Sequence, residues 1–332
     1  MIIPNVLNNF NGDLKKRLIG IGLISIIILP IILLSVFSHS VETTWLKVFQ
    51  KISITLIVSA ISIYGFYEIL NNFTNSKIIN FIYSTVLILG VYFLDVHLKK
   101  WQPLLFLELL DSSITLDWFY IKRFGFNTII YLFIIVCSLV YFILNWDTFN
   151  KVQNSLAVLI LALTIVFFSK GMVYLLIIKP WYSFYLFVLV FLYDVFSYFG
   201  GRLIAPYFKQ YLFFPKISPN KTIIGALSGF MASLVFSITF LSLIHEQNQS
   251  NSMPIISHLS RLVEAKINFY IIIFFFSFFF SLAPISGDLF FSYIKRALTI
   301  KDFSSLILGH GGVFDRFDGL AFTTFVFVIM IW

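Results

Sequence analysis

The sequence is poor in charge. Asp, Glu, Lys and Arg make up only 11% of its 332 residues, whereas apolar residues make up 59% and the mean hydropathy is +0.95. Soluble domains carry about 25% charged residues, and a surface with so few charges would not keep a protein dissolved in water. The composition therefore excludes a soluble globular domain and predicts a protein whose solvent is lipid.

Cysteine is nearly absent, and so are the usual nucleotide and nucleic-acid motifs. The single cysteine, Cys137, lies inside an apolar run, so the chain has neither a disulfide framework nor a thiolate metal cluster. No GxxxxGK[ST] loop is present, which excludes a soluble nucleotide-binding domain of that type. The net charge is +8, but the Lys and Arg residues show no pattern of a basic nucleic-acid-binding face. In membrane proteins, Lys and Arg commonly lie beside anionic headgroups. We expect no nucleic-acid partner.

Long apolar runs, in contrast, are abundant. A helix needs about 20 apolar residues to cross a bilayer. The runs that meet or approach this length are 18–38, 52–70, 78–95, 126–146, 154–178, 181–199, 222–244, 267–286 and a last one ending at Trp332. They predict an all-α, polytopic integral membrane protein with about nine transmembrane helices.

Three stretches differ from a plain spanning run. The run 154–178 is interrupted by Lys170 and Gly171, and is either one long kinked helix or a shorter helix followed by a re-entrant piece. The stretch 101–125 is too charged to span, but it is apolar enough to lie along the interface. The last apolar run, which begins at Gly319, is too short to span alone, so we expect its helix to begin near Asp315.

Two polar segments, 200–221 and 287–318, interrupt the C-terminal half, and we predict the second to be a single loop. Two spans separate the segments, so both lie on the same side of the membrane. A weak excess of Lys and Arg predicts that this side is cytoplasmic, in a bacterial inner membrane or the endoplasmic reticulum. We divide the chain into N-terminal membrane helices, 1–180, and a catalytic membrane domain, 181–332.

The polar segments combine residues suited to phosphate and metal chemistry. Asp315 and Asp318 are spaced to project from one helix face, as ligands of a hard divalent cation would. Asp194 falls near the end of an apolar span, where ionisable side chains are functional candidates. Lys221 precedes a helix start, where a lysine, backbone N–H groups and the helix dipole can meet an anion. Both segments are therefore typical of phosphate binding at a membrane boundary.

Residues of the C-terminal half form three ordered blocks with fixed spacing. They are Asp194-x-x-x-Tyr198-x-x-Gly201-Arg202; Ser218-Pro219-x-Lys221-Thr222-x-x-Gly225; and Ser292-x-Ile294-Lys295-Arg296, Lys301-Asp302-x-Ser304 and His310-Gly311-Gly312-Val313-x-Asp315-Arg316-Phe317-Asp318. Together they resemble the signature of the phosphatidate cytidylyltransferase family, also called CDP-diacylglycerol synthases. The N-terminal half is similar only in being a string of membrane helices.

The resemblance implies a reaction, a cofactor and a set of site residues. CMP would pass from CTP to the phosphate of phosphatidate, giving CDP-diacylglycerol and pyrophosphate for phospholipid synthesis. Mg²⁺ would be the cofactor, with a second cation as an option, and the protein would be a homodimer. The implied metal ligands are Asp288, Asp315 and Asp318, with Asp194 completing the site. The implied catalytic residues are Asp288, Asp315, Asp318, Lys221 and His310. The implied substrate-binding residues are Ser218, Lys221, Arg202, Lys295, Arg296, Lys301, Gly311, Gly312 and Arg316.

This chain departs from the family pattern at three positions. Leu308 replaces the usual Pro, Ile224 replaces the usual Glu, and Tyr193 replaces the usual Asn. The change at Ile224 removes a carboxylate that would support Lys221 or a metal.

Other functions also fit parts of the pattern. A transporter or channel predicts polar residues in several spans and an inverted repeat, and the sequence shows neither. The segment Asp318-Gly319-Leu320-Ala321-Phe322 fails the Asp-Gly-x-x-Ala-Arg pattern of CDP-alcohol phosphatidyltransferases. A polyprenol kinase and a CDP-archaeol synthase stay open as alternatives because their headgroup chemistry is nearly the same.

Overall fold

The part of the chain that the structure, a computed structural model, describes is mainly helical. The described residues are 44–98, 124–145, 152–178, 180–207, 212–219, 221–247, 269–304, 306 and 311–331. Their helices are α1 Thr44–Leu70, α2 Lys77–Leu98, α3 Phe124–Leu144, α4 Val152–Ile178, α5 Pro180–Phe199, α6 Ile223–Gln247, α7 Phe269–Ser281, α8 Ala283–Ala297 and α9 Phe314–Ile331. A π-helical turn, Gly200–Ile204, follows α5. Within these ranges the only β pairing is a bridge between Leu212 and Thr222.

Helices long enough to cross a membrane are numerous. Five described stretches are both long and apolar enough: Phe49–Leu70, Asn154–Ile177, Pro180–Ile204, Ile223–Leu243 and Ile273–Ala297. Two shorter apolar helices, Lys77–Tyr92 and Ile130–Leu144, fall on predicted spans. The prediction of an all-α, polytopic integral membrane protein is confirmed, whereas the number of nine spans stays a prediction. The predicted span 18–38 and the interfacial stretch, up to residue 123, lie outside the described residues.

Two details differ between the expected and the observed helices. The run around Lys170 and Gly171 is one helix, α4, without a re-entrant piece. The predicted span 267–286 is two helices, interrupted at Leu282, because Pro284 has no N–H to continue the hydrogen-bond ladder of α7. Since α8 then runs on to Ala297, the prediction of a single polar loop from residue 287 is wrong. The start of α9 at Phe314 confirms the expected helix start near Asp315.

One compact unit comprises Met1–Trp181 and Ile300–Phe317. In it α1 contacts α2 and α4, and α3 also contacts α2 and α4. Buried polar side chains are paired between helices: the Tyr141 hydroxyl donates to Asn80 Oδ1 at 2.7 Å, and the Tyr83 and Ser138 hydroxyls are 2.8 Å apart. Such pairing is needed in lipid, where no water can satisfy the groups.

The second compact unit comprises Tyr182–Thr299 and Asp318–Trp332. Here α6 lies very close to α5, since a Cβ added at Gly229 would be 2.6 Å from the Tyr193 carbonyl oxygen. Aromatic rings fill the centre: the Tyr185 ring stacks on Phe280 at 5.9 Å, and Phe280 meets Phe327 edge to face at 5.1 Å. These contacts fix the helices that carry the polar residues described next.

Candidate functional site

A small closed loop places Lys221 directly before α6. The Phe213 N–H donates to the Lys221 carbonyl at 2.7 Å, and the Lys221 N–H donates to the Ser218 carbonyl at 3.2 Å. Thr222 then caps the helix, because its Oγ1 accepts the Gly225 N–H at 3.1 Å. The Ser-Pro-x-Lys-Thr-x-x-Gly block is therefore a loop followed by a helix cap, with its lysine at the junction.

Lys221 faces two groups of the same compact unit. Its ammonium forms an ion pair with Asp288 of α8, and both side chains are about one quarter exposed, at 24% and 25%. Its Nζ also lies 5.7 Å from the centre of the Tyr193 ring, within the range of a cation–π contact. The Lys221 ammonium therefore lies over the Tyr193 ring and is paired with the Asp288 carboxylate.

One face of α8 presents a row of polar side chains. Asp288, Ser292 and Lys295 follow at helical spacing, and the Ser292 hydroxyl donates to Asp288 Oδ1 at 3.4 Å. Lys295 Nζ lies 3.3 Å from Asp318 Oδ2 of α9, and the two side chains are 12% and 17% exposed. Arg296 Nε donates to the Ile217 carbonyl at 3.3 Å, which ties α8 to the loop before α6.

Glycine 287 allows α8 to approach α9 closely enough for this pairing. A Cβ at Gly287 would lie 2.7 Å from Cβ of Phe322, so no larger residue fits without displacing one of the helices. The other carboxylate oxygen of Asp318, Oδ1, accepts the Gly319 N–H at 2.7 Å. Asp318 is therefore oriented by both helices.

In the other compact unit, Asp315 closes the glycine segment that precedes α9. Its Oδ2 accepts the N–H groups of Phe303 and Gly312, each at 2.9 Å. Gly311 has φ +79°, a conformation that favours glycine, and a Cβ there would lie 2.9 Å from the same oxygen. Asp315 therefore stabilises the backbone of the segment that precedes α9.

Sequence analysis missed one charged residue that contacts this segment. Glu68 of α1 is 3% exposed and accepts the Phe314 N–H at 2.8 Å and the Val313 N–H at 3.2 Å. The Ser304 hydroxyl donates to it as well. The signal was present in the sequence, because an acidic residue inside an apolar run is a functional candidate by default.

The remaining predicted site residues lie on several different elements. Arg202 lies on the π-helical turn, with its Cζ 5.9 Å from the centre of the Tyr198 ring. Asp194 is exposed on α5, Lys301 is exposed after α8, and Arg316 is half-buried in the first turn of α9. His310 and the departure at Leu308 lie outside the described residues.

The predicted magnesium ligands do not form a common set in the part of the chain that the structure describes. No three His, Cys, Asp or Glu side chains there converge as a metal site would require. Asp288 and Asp318 pair with lysines, and Asp315 holds backbone N–H groups. In the structure these carboxylates bind ammonium and backbone N–H groups, and magnesium binding stays a prediction.

Two of the departures from the family pattern have a structural reading. Ile224 removes a carboxylate next to the cap of α6, but Asp288 provides Lys221 with a carboxylate partner. Tyr193, in place of the usual Asn, supplies the ring beside the same lysine. Both observations concern Lys221, which keeps an anionic partner despite the substitution at 224.

Comparisons with known proteins identify the family of this chain. The model of the cytidylyltransferase family matches residues 22–332. A phosphatidate cytidylyltransferase of Rickettsia felis is 28% identical over 232 residues, covering 68% of this chain and 92% of that protein. One of Rickettsia typhi is 30% identical, covering 70% of this chain and 93% of its own length. One of Aquifex aeolicus is 33% identical, covering 48% and 52%. The chain belongs to the cytidylyltransferase family.

Proposed function

We propose that this protein transfers CMP from CTP to the phosphate of phosphatidate, giving CDP-diacylglycerol and pyrophosphate. The observation that carries the proposal is the meeting of the polar blocks on α8. Lys221 of the second block pairs with Asp288, Arg296 contacts the loop of that block, and Lys295 pairs with Asp318 of α9. Relatives that cover most of this chain are named phosphatidate cytidylyltransferases.

The chemistry needs charge compensation more than a base. A phosphate monoester has a second pKa near 6 and is largely dianionic at neutral pH, so it is already a nucleophile. One of its oxygens attacks the α-phosphorus of CTP and forms the new P–O bond. The bond from the α-phosphorus to the bridging oxygen breaks, and pyrophosphate leaves with the electron pair. The main barrier is repulsion between two anions, which positioned positive charges lower.

The lysine–aspartate pairs suit this task. In the free protein, Asp288 and Asp318 hold the ammonium groups of Lys221 and Lys295 in fixed places. We propose that phosphate oxygens of CTP and phosphatidate replace the aspartates as partners of these lysines. Arg296, which is fixed to the loop before α6, adds a third cation that can bind phosphate through two N–H groups.

The proposal includes the side of the membrane on which the site lies and the oligomeric state of the protein. Phosphatidate would enter from the bilayer, and CTP from the cytoplasm. The contact between Arg296 and Ile217 supports placing both polar segments on one side of the membrane. The homodimer is proposed from the family resemblance alone.

Magnesium would neutralise nucleotide phosphates when bound, and Asp288, Asp315, Asp318 and Asp194 are the carboxylates proposed for it. Removal of divalent cations with EDTA tests this part separately. Loss of activity on chelation that is restored by Mg²⁺ supports it, whereas full activity in EDTA contradicts it.

Position-specific labelling of CTP tests the function itself. Purified protein in detergent with phosphatidate is given CTP labelled at either the α- or the γ-phosphorus, with Asp288→Asn as the control for contaminating enzymes. We expect lipid-soluble label only from the α-position and only from the wild type. Label from the γ-position would indicate a kinase, label only with ether-linked lipid a CDP-archaeol synthase, and no lipid label would contradict lipid modification altogether.

A further inference from the structure

Glu68 is the only Asp, Glu, Lys or Arg among the buried residues that the structure describes, with 3% of its surface exposed. It lies near the end of α1, far in sequence from the three blocks. An uncompensated charge at such a place would strongly destabilise the folded protein, so the partners of Glu68 decide how it is accommodated.

In the described part of the chain, the hydrogen bonds to the Glu68 carboxylate come from Ser304, Val313 and Phe314, at the start of α9 and before it. One carboxylate oxygen accepts the N–H of Phe314, the first residue of that helix, at 2.8 Å. The other accepts the Val313 N–H at 3.2 Å and the hydroxyl of Ser304. Backbone N–H groups at a helix start have no partner within the helix and carry partial positive charge, so they compensate a carboxylate well.

The same face of α1 makes further contacts with this segment. Gly65 and Glu68 lie on one face of α1, and Asn72 lies in the turn directly after this helix. A Cβ at Gly65 would lie 2.7 Å from Cδ2 of Phe314, and Asn72 Nδ2 donates to the Phe303 carbonyl at 2.8 Å. A Cβ at Gly312 would overlap the Glu68 carboxylate. The described residues 303–304 and 312–314 therefore contact α1 or the turn after it, and Glu68 provides three of these contacts.

We propose that Glu68 is a positioning residue for CMP transfer. It fixes the backbone of Val313 and Phe314, and thereby sets where Gly311 and Gly312 lie and where α9 begins. Asp315 lies in the first turn of that helix, and Asp318 follows one turn later. The inference rests on the proposed function and adds to it a residue from the N-terminal half of the chain that acts through the backbone.

The test compares Glu68→Gln, Glu68→Asp and the control Ser62→Ala, which removes a fully buried hydroxyl of α1 whose described hydrogen bond is to the Val58 carbonyl of the same helix. In Glu68→Gln an NH₂ group replaces one acceptor and faces a backbone N–H. Since small misplacements of reacting groups are costly, we expect kcat to fall about 10- to 100-fold with KM for CTP little changed. Glu68→Asp keeps two acceptors and should retain more kcat than Glu68→Gln, and Ser62→Ala should match the wild type.

Three outcomes overturn the inference: an unchanged kcat in Glu68→Gln, a Glu68→Asp variant no more active than Glu68→Gln, or an equal loss in Ser62→Ala. If Glu68→Gln does not fold, Gly312→Ala takes its place. Adding Glu68→Asp to Gly312→Ala should then restore part of kcat because the shorter side chain makes room, and no restoration overturns the inference. A wild type without activity removes the proposed function as well, whereas an active wild type with an unaffected Glu68→Gln removes only this inference.

Discussion

At the scale of single residues, four carboxylates that the structure describes bind three different kinds of group. Asp288 and Asp318 each hold a lysine, Asp315 holds a glycine segment, and Glu68 holds a helix start. A pattern of aspartates in sequence does not distinguish a metal ligand from a group that orients a lysine, because both need a carboxylate at a fixed place. Contacts between distant segments make that distinction.

Replacing Lys295 should affect both stability and phosphate binding. The Lys295–Asp318 pair is largely buried, with side chains 12% and 17% exposed, and removing one partner of such a pair leaves the other charge uncompensated. We therefore expect Lys295→Gln to lower the melting temperature in detergent and, in the protein that stays folded, to lower kcat/KM for CTP about 10-fold or more, which is about 1.4 kcal/mol of transition-state stabilisation. An unchanged kcat/KM would show that Lys295 only orients Asp318.

Gly311 should not tolerate a side chain. Its φ of +79° and the 2.9 Å between an added Cβ and Asp315 Oδ2 both oppose substitution. Backbone strain of this kind costs about 1–3 kcal/mol, so Gly311→Ala should lower the melting temperature and the activity together. A Gly311→Ala variant with wild-type melting and kcat would contradict the role assigned to this turn.

At the scale of helices, apolar runs predicted most elements because spanning a bilayer requires a fixed length. The sequence pattern predicted the start of α9 near Asp315 and gave a single helix as one of two alternatives for α4. It missed the interruption at Leu282, since the apolar run continues through Pro284, and it therefore placed Asp288 and Lys295 in a loop. It also missed Glu68, since the contacts of Glu68 join residues more than 200 positions apart, as for Val313.

The helix cap at Thr222 gives a prediction at this scale. Thr222→Ala removes the acceptor of the Gly225 N–H, which at an N-cap costs about 1 kcal/mol. Thr222→Ser should retain most of the stability, and the matched control Thr239→Ala should lose little because the hydrogen bonds described for that hydroxyl are to carbonyls of its own helix. Thermal unfolding in detergent measures all three, and equal losses at 222 and 239 would contradict the cap.

At the scale of the whole molecule, the sequence predicted the class of protein well because composition alone requires lipid as solvent. The sidedness of the polar segments can be tested by labelling. In a Cys137→Ser background, a cysteine at the exposed positions Lys216 or Lys301 is treated with a membrane-impermeant maleimide in intact cells. We expect neither to react until the cells are permeabilised, and labelling of only one in intact cells would place the segments on opposite sides.

The central claim is that Lys221 exchanges Asp288 for substrate phosphate during CMP transfer. The most direct measurement is kcat/KM for CTP with phosphatidate, comparing Lys221→Gln with Lys216→Gln, an exposed lysine of the same loop. We predict a loss of about 100-fold or more at 221, in the range of a removed transition-state charge contact, and wild-type values at 216. Equal activity of the two variants would contradict the account.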